Sequence, residues 1–167
     1  MIRIVIIILI FVSLSCDGQT VRDSSIVKSS KLVVLDTLSR LKLEEGFEVL
    51  QLVLENSPSD KIRIVRKTKI IGELSLPIPD VEVKNFSVDK IERTEEGFVL
   101  TVNWGGGKTF YKQSFYFELN DAEKTFYLES IIKTSFSLEF ENDISSKEKI
   151  NPHLKINEID LLTFIVN

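Results

Sequence analysis

The feature that most constrains the fold is a hydrophobic pattern of period two in three consecutive segments between residues 98 and 140. In each segment large apolar side chains alternate with polar ones, which predicts strands with one buried face. The predicted buried faces are Phe98, Leu100, Val102 and Trp104; Tyr111, Phe115, Phe117 and Leu119; and Phe126, Leu128, Ile132, Phe136, Leu138 and Phe140. Successive strands of this kind, separated by turn residues, predict an antiparallel meander.

The first turn of this meander, Gly105-Gly106-Gly107-Lys108-Thr109, resembles the end of a phosphate-binding loop. Such a loop needs a glycine five residues before the last Gly and must lead into a helix. Val102 occupies the first-glycine position, and the segment that follows alternates as a strand. We therefore predict a hairpin turn there, because glycine adopts positive φ without strain. Asn120-Asp121 predicts the second turn.

The segments that flank the meander complete an α+β prediction. In residues 31–43, Leu35, Leu38 and Leu41 have helical spacing, which predicts an amphipathic helix packed on a mostly antiparallel sheet of five to seven strands. Residues 47–55 and 61–67 predict a hairpin. Residues 70–80 contain Pro77 and Pro79, so they predict an edge strand or a crossing loop. The apolar C-terminal segment predicts an element that docks on the sheet, either helix or strand.

The first twenty residues differ from the rest of the chain. Arg3, an apolar run at residues 4–12 and small residues up to Cys16 are typical of a secretory signal peptide, and the run is too short to favour a transmembrane anchor. The segment resembles the lipobox of bacterial lipoproteins, although Ser13 stands where a Leu is usual. That resemblance implies a lipidated Cys16 and attachment to a membrane. The predicted domains are 1–15, signal peptide; 16–30, lipidated Cys and flexible tether; and 31–167, a single domain.

Composition argues against several chemistries. The formal net charge is −4, and no run of Lys and Arg is interleaved with aromatics, so we predict no nucleic-acid partner. The single His153 and single Cys cannot supply a zinc site, and no G-x-S-x-G motif accompanies His153. The carboxylate pairs Glu44-Glu45 and Glu95-Glu96 lie in turn-like settings. We therefore predict a protein that is not an enzyme and that has no cofactor and no metal.

Three aromatic residues, Phe110, Tyr116 and Tyr127, fall on the face opposite the main apolar set. They are candidate binding residues if that face is exposed, or they are covered by the predicted helix. The strand-rich layout is similar to that of small bacterial lipoproteins, some of which are immunity proteins that neutralise a toxin. This similarity implies a non-catalytic binding protein of the bacterial envelope with a toxin as partner. The alternative is a lipoprotein that binds a small ligand, a lipid or a glycan in a pocket.

Overall fold

The computed structural model describes residues 33–137 and 143–165. The predicted signal peptide, Cys16 and the tether lie outside the described residues, as do Leu138 and Phe140 of the third predicted strand. Within the described ranges, no helix has the length and apolar character needed to span a bilayer.

The described residues form two antiparallel sheets in which each strand pairs with its neighbour in sequence. The first sheet contains β1 (Val34–Lys42), β2 (Phe47–Leu54), β3 (Lys61–Arg66) and β4 (Lys69–Ser75). The second sheet contains β5 (Ser87–Arg93), β6 (Gly97–Gly106), β7 (Thr109–Asn120), β8 (Thr125–Ser137) and β9 (Ile144–Lys155). Two 3-10 turns, Glu44–Gly46 and Ile156–Glu158, and one short helix, α1 (Leu161–Ile165), complete the described structure.

The fold class predicted from the sequence is wrong, because the N-terminal helix packed on a sheet does not exist. Residues 34–42 form β1, which pairs antiparallel with β2. Leu35 and Leu38 are 63% and 52% exposed and bury no helical face. Register shifts occur between Val34 and Asp36 and between Thr37 and Ser39. Each bulge adds one residue to the strand period of two, so the leucines acquire a spacing of three that imitates a helix.

The other strand predictions are confirmed in outline. The hairpin at 47–55 and 61–67 is β2–β3, and the meander is β6–β7–β8. The strand at 69–75 lies at the edge of the first sheet, and the two prolines follow it in the connection to the second sheet. The polar segment 144–155, which was not predicted as a strand, forms the edge strand β9.

One hydrophobic core lies between the two sheets. Phe47 of the first sheet meets Phe126 of the second edge to face, with ring centroids 5.4 Å apart. Phe98 stacks on Phe117 at 4.7 Å. We call the face of the second sheet that contributes to this core the inner face; Leu100, Phe115 and other buried side chains of β6–β8 lie on it.

The C-terminal segment docks on this core, as predicted, and α1 settles its helical character. Ile159, Leu161 and Ile165 are buried. Ile156 is fully buried beside Gly72 of β4, and the side-chain oxygen of Asn157 accepts a hydrogen bond from the Glu73 N–H at 2.8 Å. The tail of the second sheet is thereby attached to the edge of the first.

Candidate binding site

A cavity of about 500 Å³ lies at one end of the inner face, and we call it the inner-face cavity. Strands β6 to β9 supply its floor, the 82–84 segment of the β4–β5 connection supplies one wall, and α1 supplies another. Its volume is within the range of small-ligand pockets in proteins. The floor side chains are Trp104, Tyr111, Gln113, Lys133, Ser135, Ile144 and Ser146.

A bulge in β8 decides which side chains reach this floor. Tyr116 pairs with Ser130 and Phe117 pairs with Leu128, so Glu129 is the extra residue. The extra residue shifts the alternation by one position. Lys133 and Ser135 therefore pair with Gln113 and Tyr111 on the inner face, although the sequence pattern assigned both of them to the polar face.

Gln113 is the most informative residue of the cavity. It lies on β7 between Val102 of β6 and Lys133 of β8, and its exposed fraction is 0%. Neither Nε2 nor Oε1 has a hydrogen-bond partner among the described residues. A buried amide that lacks partners costs about 1–3 kcal/mol. Native proteins retain few such groups.

An aromatic pair stands beside Gln113 on the same floor. Trp104 of β6 pairs with Tyr111 of β7, and their rings stack with centroids 5.4 Å apart and an interplanar angle of 18°. Phe164 and Ile165 of α1 and Val83 of the β4–β5 connection add apolar surface to the cavity. The lining of the inner-face cavity thus combines a stacked aromatic pair with apolar side chains from α1 and the β4–β5 connection.

The glycines of the β6–β7 hairpin contact Lys84 and Asn85, at the end of the segment that forms one wall of the cavity. Gly105 has φ +114°, its N–H donates to the Lys84 carbonyl at 2.9 Å, and its carbonyl accepts from Asn85 Nδ2 at 2.7 Å. A Cβ on Gly106 would lie 2.9 Å from Asn85 Nδ2 and 3.1 Å from Lys84 Cε. The turn at Gly107-Lys108 connects two paired strands, so the predicted hairpin turn is confirmed.

Two of the lysines around the cavity form ion pairs. Lys84, Lys112 and Lys133 contribute to its lining, together with Glu82. Lys112 Nζ is 2.9 Å from Asp89 Oδ2, and Lys133 Nζ is 3.5 Å from Glu148 Oε2. Glu82 accepts a hydrogen bond from the Ile78 N–H at 2.8 Å within its own loop. Lys112 and Lys133 are therefore each paired with a carboxylate.

The three aromatic residues predicted to bind a partner are not among the residues that line the inner-face cavity. Phe110 and Tyr116 are on the outer face of β7, six residues or about 20 Å apart along the strand. Tyr127 lies farther along β8, where its hydroxyl donates to Glu123 at 2.9 Å and Lys155 Nζ lies 5.7 Å from its ring centroid. No helix of the described residues covers them. The structure does not bring these three residues together, and their binding role stays a prediction.

The candidate catalytic groups are also separate. Glu44 contacts Arg93, and Glu45 is paired with Arg66 at 3.2 Å and Lys124 at 2.9 Å. His153 is exposed on β9. Among the residues that the structure describes, no group of three or more His, Cys, Asp or Glu is placed to hold a metal ion.

A second groove, on the outer face, contains several carboxylates. Glu95, Glu96, Glu118 and Glu129 line it. Burial raises the pKa of Glu118 above its ordinary value, and the neighbouring Glu96 raises that pKa further. The neighbouring carboxylates Glu96 and Glu129 oppose ionisation of Glu118. The stability of the fold should therefore depend on the protonation of Glu118.

Comparisons with protein-family models, with curated proteins and with solved structures each gave no significant match.

The sequence analysis did not identify Gln113, Lys133 or Ser135. One signal for Gln113 was present, because it is the polar residue that interrupts the alternating apolar face from Tyr111 to Leu119. A polar side chain at a predicted core position breaks the alternating pattern, and such a break is one sign of a functional residue. No comparable signal existed for Lys133 and Ser135, since the bulge at Glu129 depends on strand pairing.

Proposed function

We propose that this chain is a non-catalytic binding protein whose ligand is a small molecule held in the inner-face cavity. The observation that carries the proposal is the cavity of about 500 Å³, which is lined by aromatic side chains such as Trp104 and Tyr111 and by polar ones such as Ser135 and Ser146. Placed polar groups inside a mostly apolar pocket are typical of ligand sites. Of the two binding roles predicted from the sequence, the pocket-binding lipoprotein is the better supported.

The proposed location is the bacterial cell envelope. It rests on the resemblance of residues 1–16 to a lipoprotein signal, in which Cys16 would carry the lipid. A single acyl chain binds membranes weakly, whereas several chains give stable anchoring. Labelling cells with an alkynyl fatty acid should mark the wild-type chain and leave Cys16→Ser unmarked. Equal labelling of both chains would refute lipidation at Cys16.

Trp104 offers a direct test of ligand binding, because it is the single tryptophan of the chain and lies on the cavity floor. Its emission should change when the cavity is filled. Full-length protein purified from its native envelope should carry a bound small molecule, which native mass spectrometry detects. Removal of that molecule should shift the Trp104 emission. A bare protein whose emission responds to no envelope extract would contradict the proposal.

A second candidate function is neutralisation of a secreted toxin, with the cavity mouth as the contact surface. Two exposed large apolar side chains line the cavity, Ile144 at 72% and Tyr111 at 40%. Exposed apolar and aromatic groups that occur together favour protein interfaces. Val81, which is 78% exposed, adjoins the lining residue Glu82 in sequence.

Toxin neutralisation has its own test. Deletion of the gene should sensitise cells to one toxin made by sibling cells, and the full-length protein should protect them. Replacement of Ile144 by Asp should abolish protection, whereas Leu35→Asp, an equally exposed change on β1, should not. Full viability of the deletion strain beside toxin-producing siblings would exclude this candidate.

A further inference from the structure

The lining of the inner-face cavity carries more ammonium groups than carboxylates. Its charged members among the described residues are Lys84, Lys112, Lys133 and Glu82. The carboxylates that pair with Lys112 and Lys133 belong to Asp89 and Glu148, and neither of these lines the cavity. A molecule in the cavity therefore meets an excess of positive charge, although the whole chain has a formal net charge of −4. Charge complementarity favours an anionic ligand.

Lys84 is the lining lysine that has no carboxylate partner. Its Nζ forms neither an ion pair nor a hydrogen bond with another described residue. Glu82, on the same segment of the chain, instead accepts a hydrogen bond from the Ile78 N–H. The charge of Lys84 is therefore available to a bound anion.

Lys133 belongs to a group of three hydrogen-bond donors on the cavity floor, which we call the donor cluster: Lys133, Ser135 and Ser146. Ser146 is the cross-strand partner of Lys133 on β9, and Ser135 lies two residues farther along the same face of β8. Cross-strand partners have Cβ atoms about 5 Å apart, and residues two apart along a strand are separated by about 7 Å. One small acceptor group can therefore contact the ammonium and a hydroxyl together.

The donor cluster is accessible to a ligand. Ser146 is exposed, and the Lys133 side chain is 33% exposed. None of the three side chains donates a hydrogen bond to another described residue. Lys133 Nζ lies 3.5 Å from Glu148 Oε2, which is longer than a charge-assisted hydrogen bond, and the Glu148 side chain is 54% exposed. Exposed ion pairs of this kind are weak, so a ligand carboxylate can replace Glu148 at Lys133.

Apolar side chains border the donor cluster. Ser135 pairs with Tyr111 on one side and with Ile144 on the other. Phe164 and Ile165 of α1 also line the cavity. A ligand whose charged group reaches the donor cluster therefore needs an apolar body to fill the remaining space.

We infer that the inner-face cavity binds an apolar monocarboxylate, an assignment that rests on the proposed function because it concerns the same cavity. The carboxylate accepts hydrogen bonds from Lys133 and from Ser135 or Ser146, since a carboxylate has only acceptors and these groups supply donors. Lys84 adds electrostatic attraction from the cavity wall. One ammonium in the donor cluster matches a single negative charge better than a dianion.

The test is a titration of Trp104 emission in the full-length chain, in micelles of a zwitterionic detergent. The probes share one apolar body and differ in the head group: octanoate, octylammonium, 1-octanol and octyl phosphate. Each Kd refers to the free probe, measured in protein-free micelles at the same detergent concentration. Octanoate should give a saturable change and the lowest Kd of the four.

Lys133→Met removes the charge and keeps a long apolar side chain, and it should raise the Kd of octanoate at least tenfold. Lys149→Met is the matched control, because Lys149 lies on the same strand pair but outside the cavity lining, and it should leave that Kd unchanged. Ser146→Ala, an exposed change on β9, provides a second variant should Lys133→Met alter the fold, and it should also raise the Kd.

Equal octanoate affinity in wild type, Lys133→Met and Ser146→Ala would overturn the inference. Binding of octylammonium, 1-octanol or octyl phosphate that is as tight as that of octanoate would overturn the monocarboxylate class and leave the proposed function intact. The same holds for a lack of response to all four probes if native mass spectrometry still finds a bound small molecule. No response to any probe, combined with a bare protein in native mass spectrometry, would overturn both.

Discussion

At the scale of single residues, Gln113 is a polar side chain at a position that the fold buries completely. Its side chain lies among Val102, Phe115 and other inner-face residues, where an apolar residue would pack without an unpaired amide. Retaining an unpaired polar group in a folded core lowers stability.

We predict that Gln113→Leu raises the free energy of unfolding by about 1–3 kcal/mol, because it removes the unpaired amide and keeps a similar volume. Urea denaturation of the full-length chain measures it. Gln113→Ala is the matched control and should lose stability, because it also removes packing. A less stable Gln113→Leu variant would mean that the amide is well satisfied in the folded protein.

Glu118 gives a prediction about pH. Its pKa is raised in the folded state, chiefly by desolvation, so the folded protein binds the proton more tightly than the unfolded chain does. Its contribution to stability is therefore present below the unfolded pKa and is lost as pH rises through the folded pKa. We predict that Glu118→Gln becomes progressively more stable than wild type across that interval.

Paired urea titrations of wild type and Glu118→Gln at a series of pH values measure this difference. Glu55→Gln, a change in the exposed β2–β3 turn, should run parallel to wild type. A Glu118→Gln difference that stays constant across the whole series would show that the proton is bound equally in the folded and unfolded states.

At the scale of elements, β1 shows how bulges can disguise a strand. Its two register shifts give Leu35, Leu38 and Leu41 a spacing of three. Side-chain exposure distinguishes a helix from a strand here. An amphipathic helix would bury its leucines, whereas this edge strand leaves Leu35 and Leu38 exposed to solvent.

We predict that Leu38→Ala changes the free energy of unfolding by less than about 0.5 kcal/mol, as surface changes usually do. Leu54→Ala on β2, at a side chain that is 2% exposed, should cost about 2–5 kcal/mol. Chemical denaturation of both variants provides the comparison. Equal losses would show that Leu38 is buried and would contradict the edge-strand structure.

At the scale of the whole molecule, the two meanders are joined through their shared core and through the C-terminal tail. Ile156 packs on Gly72 so closely that a Cβ on Gly72 would overlap Ile156 Cγ2. Asn157 adds a hydrogen bond to the backbone of β4. The tail thereby couples the edge of the first sheet to the end of β9 and positions α1 at the cavity.

We predict that Gly72→Ala costs about 1–3 kcal/mol through overpacking against Ile156. Ile156→Ala should also destabilise the fold by leaving a cavity. In the double variant the new methyl occupies part of the vacated space, so the combined loss should be smaller than the sum of the two. Additive losses in the double-mutant cycle would show that the two positions do not touch.

The local sequence pattern was sufficient to predict strands and turns wherever the strand pairing has no register shift. The β2–β3 hairpin, the β6–β7–β8 meander and the turn at Gly107 were predictable, because alternation and turn residues act within a few positions of the chain. The polar edge strand β9 was not predictable. Its exposed side chains carry no alternation, and its strand character comes from hydrogen bonding to β8.

The sequence by itself determined that this chain forms antiparallel strands around an apolar core, since side-chain period and turn chemistry are local properties. Tertiary structure alone decided which residues meet. The bulge at Glu129 moved Lys133 and Ser135 onto the inner face, and the packing of α1 and residues 82–84 closed the cavity around Gln113. A one-residue shift in register reverses every side chain that follows it, and the register depends on the partner strand.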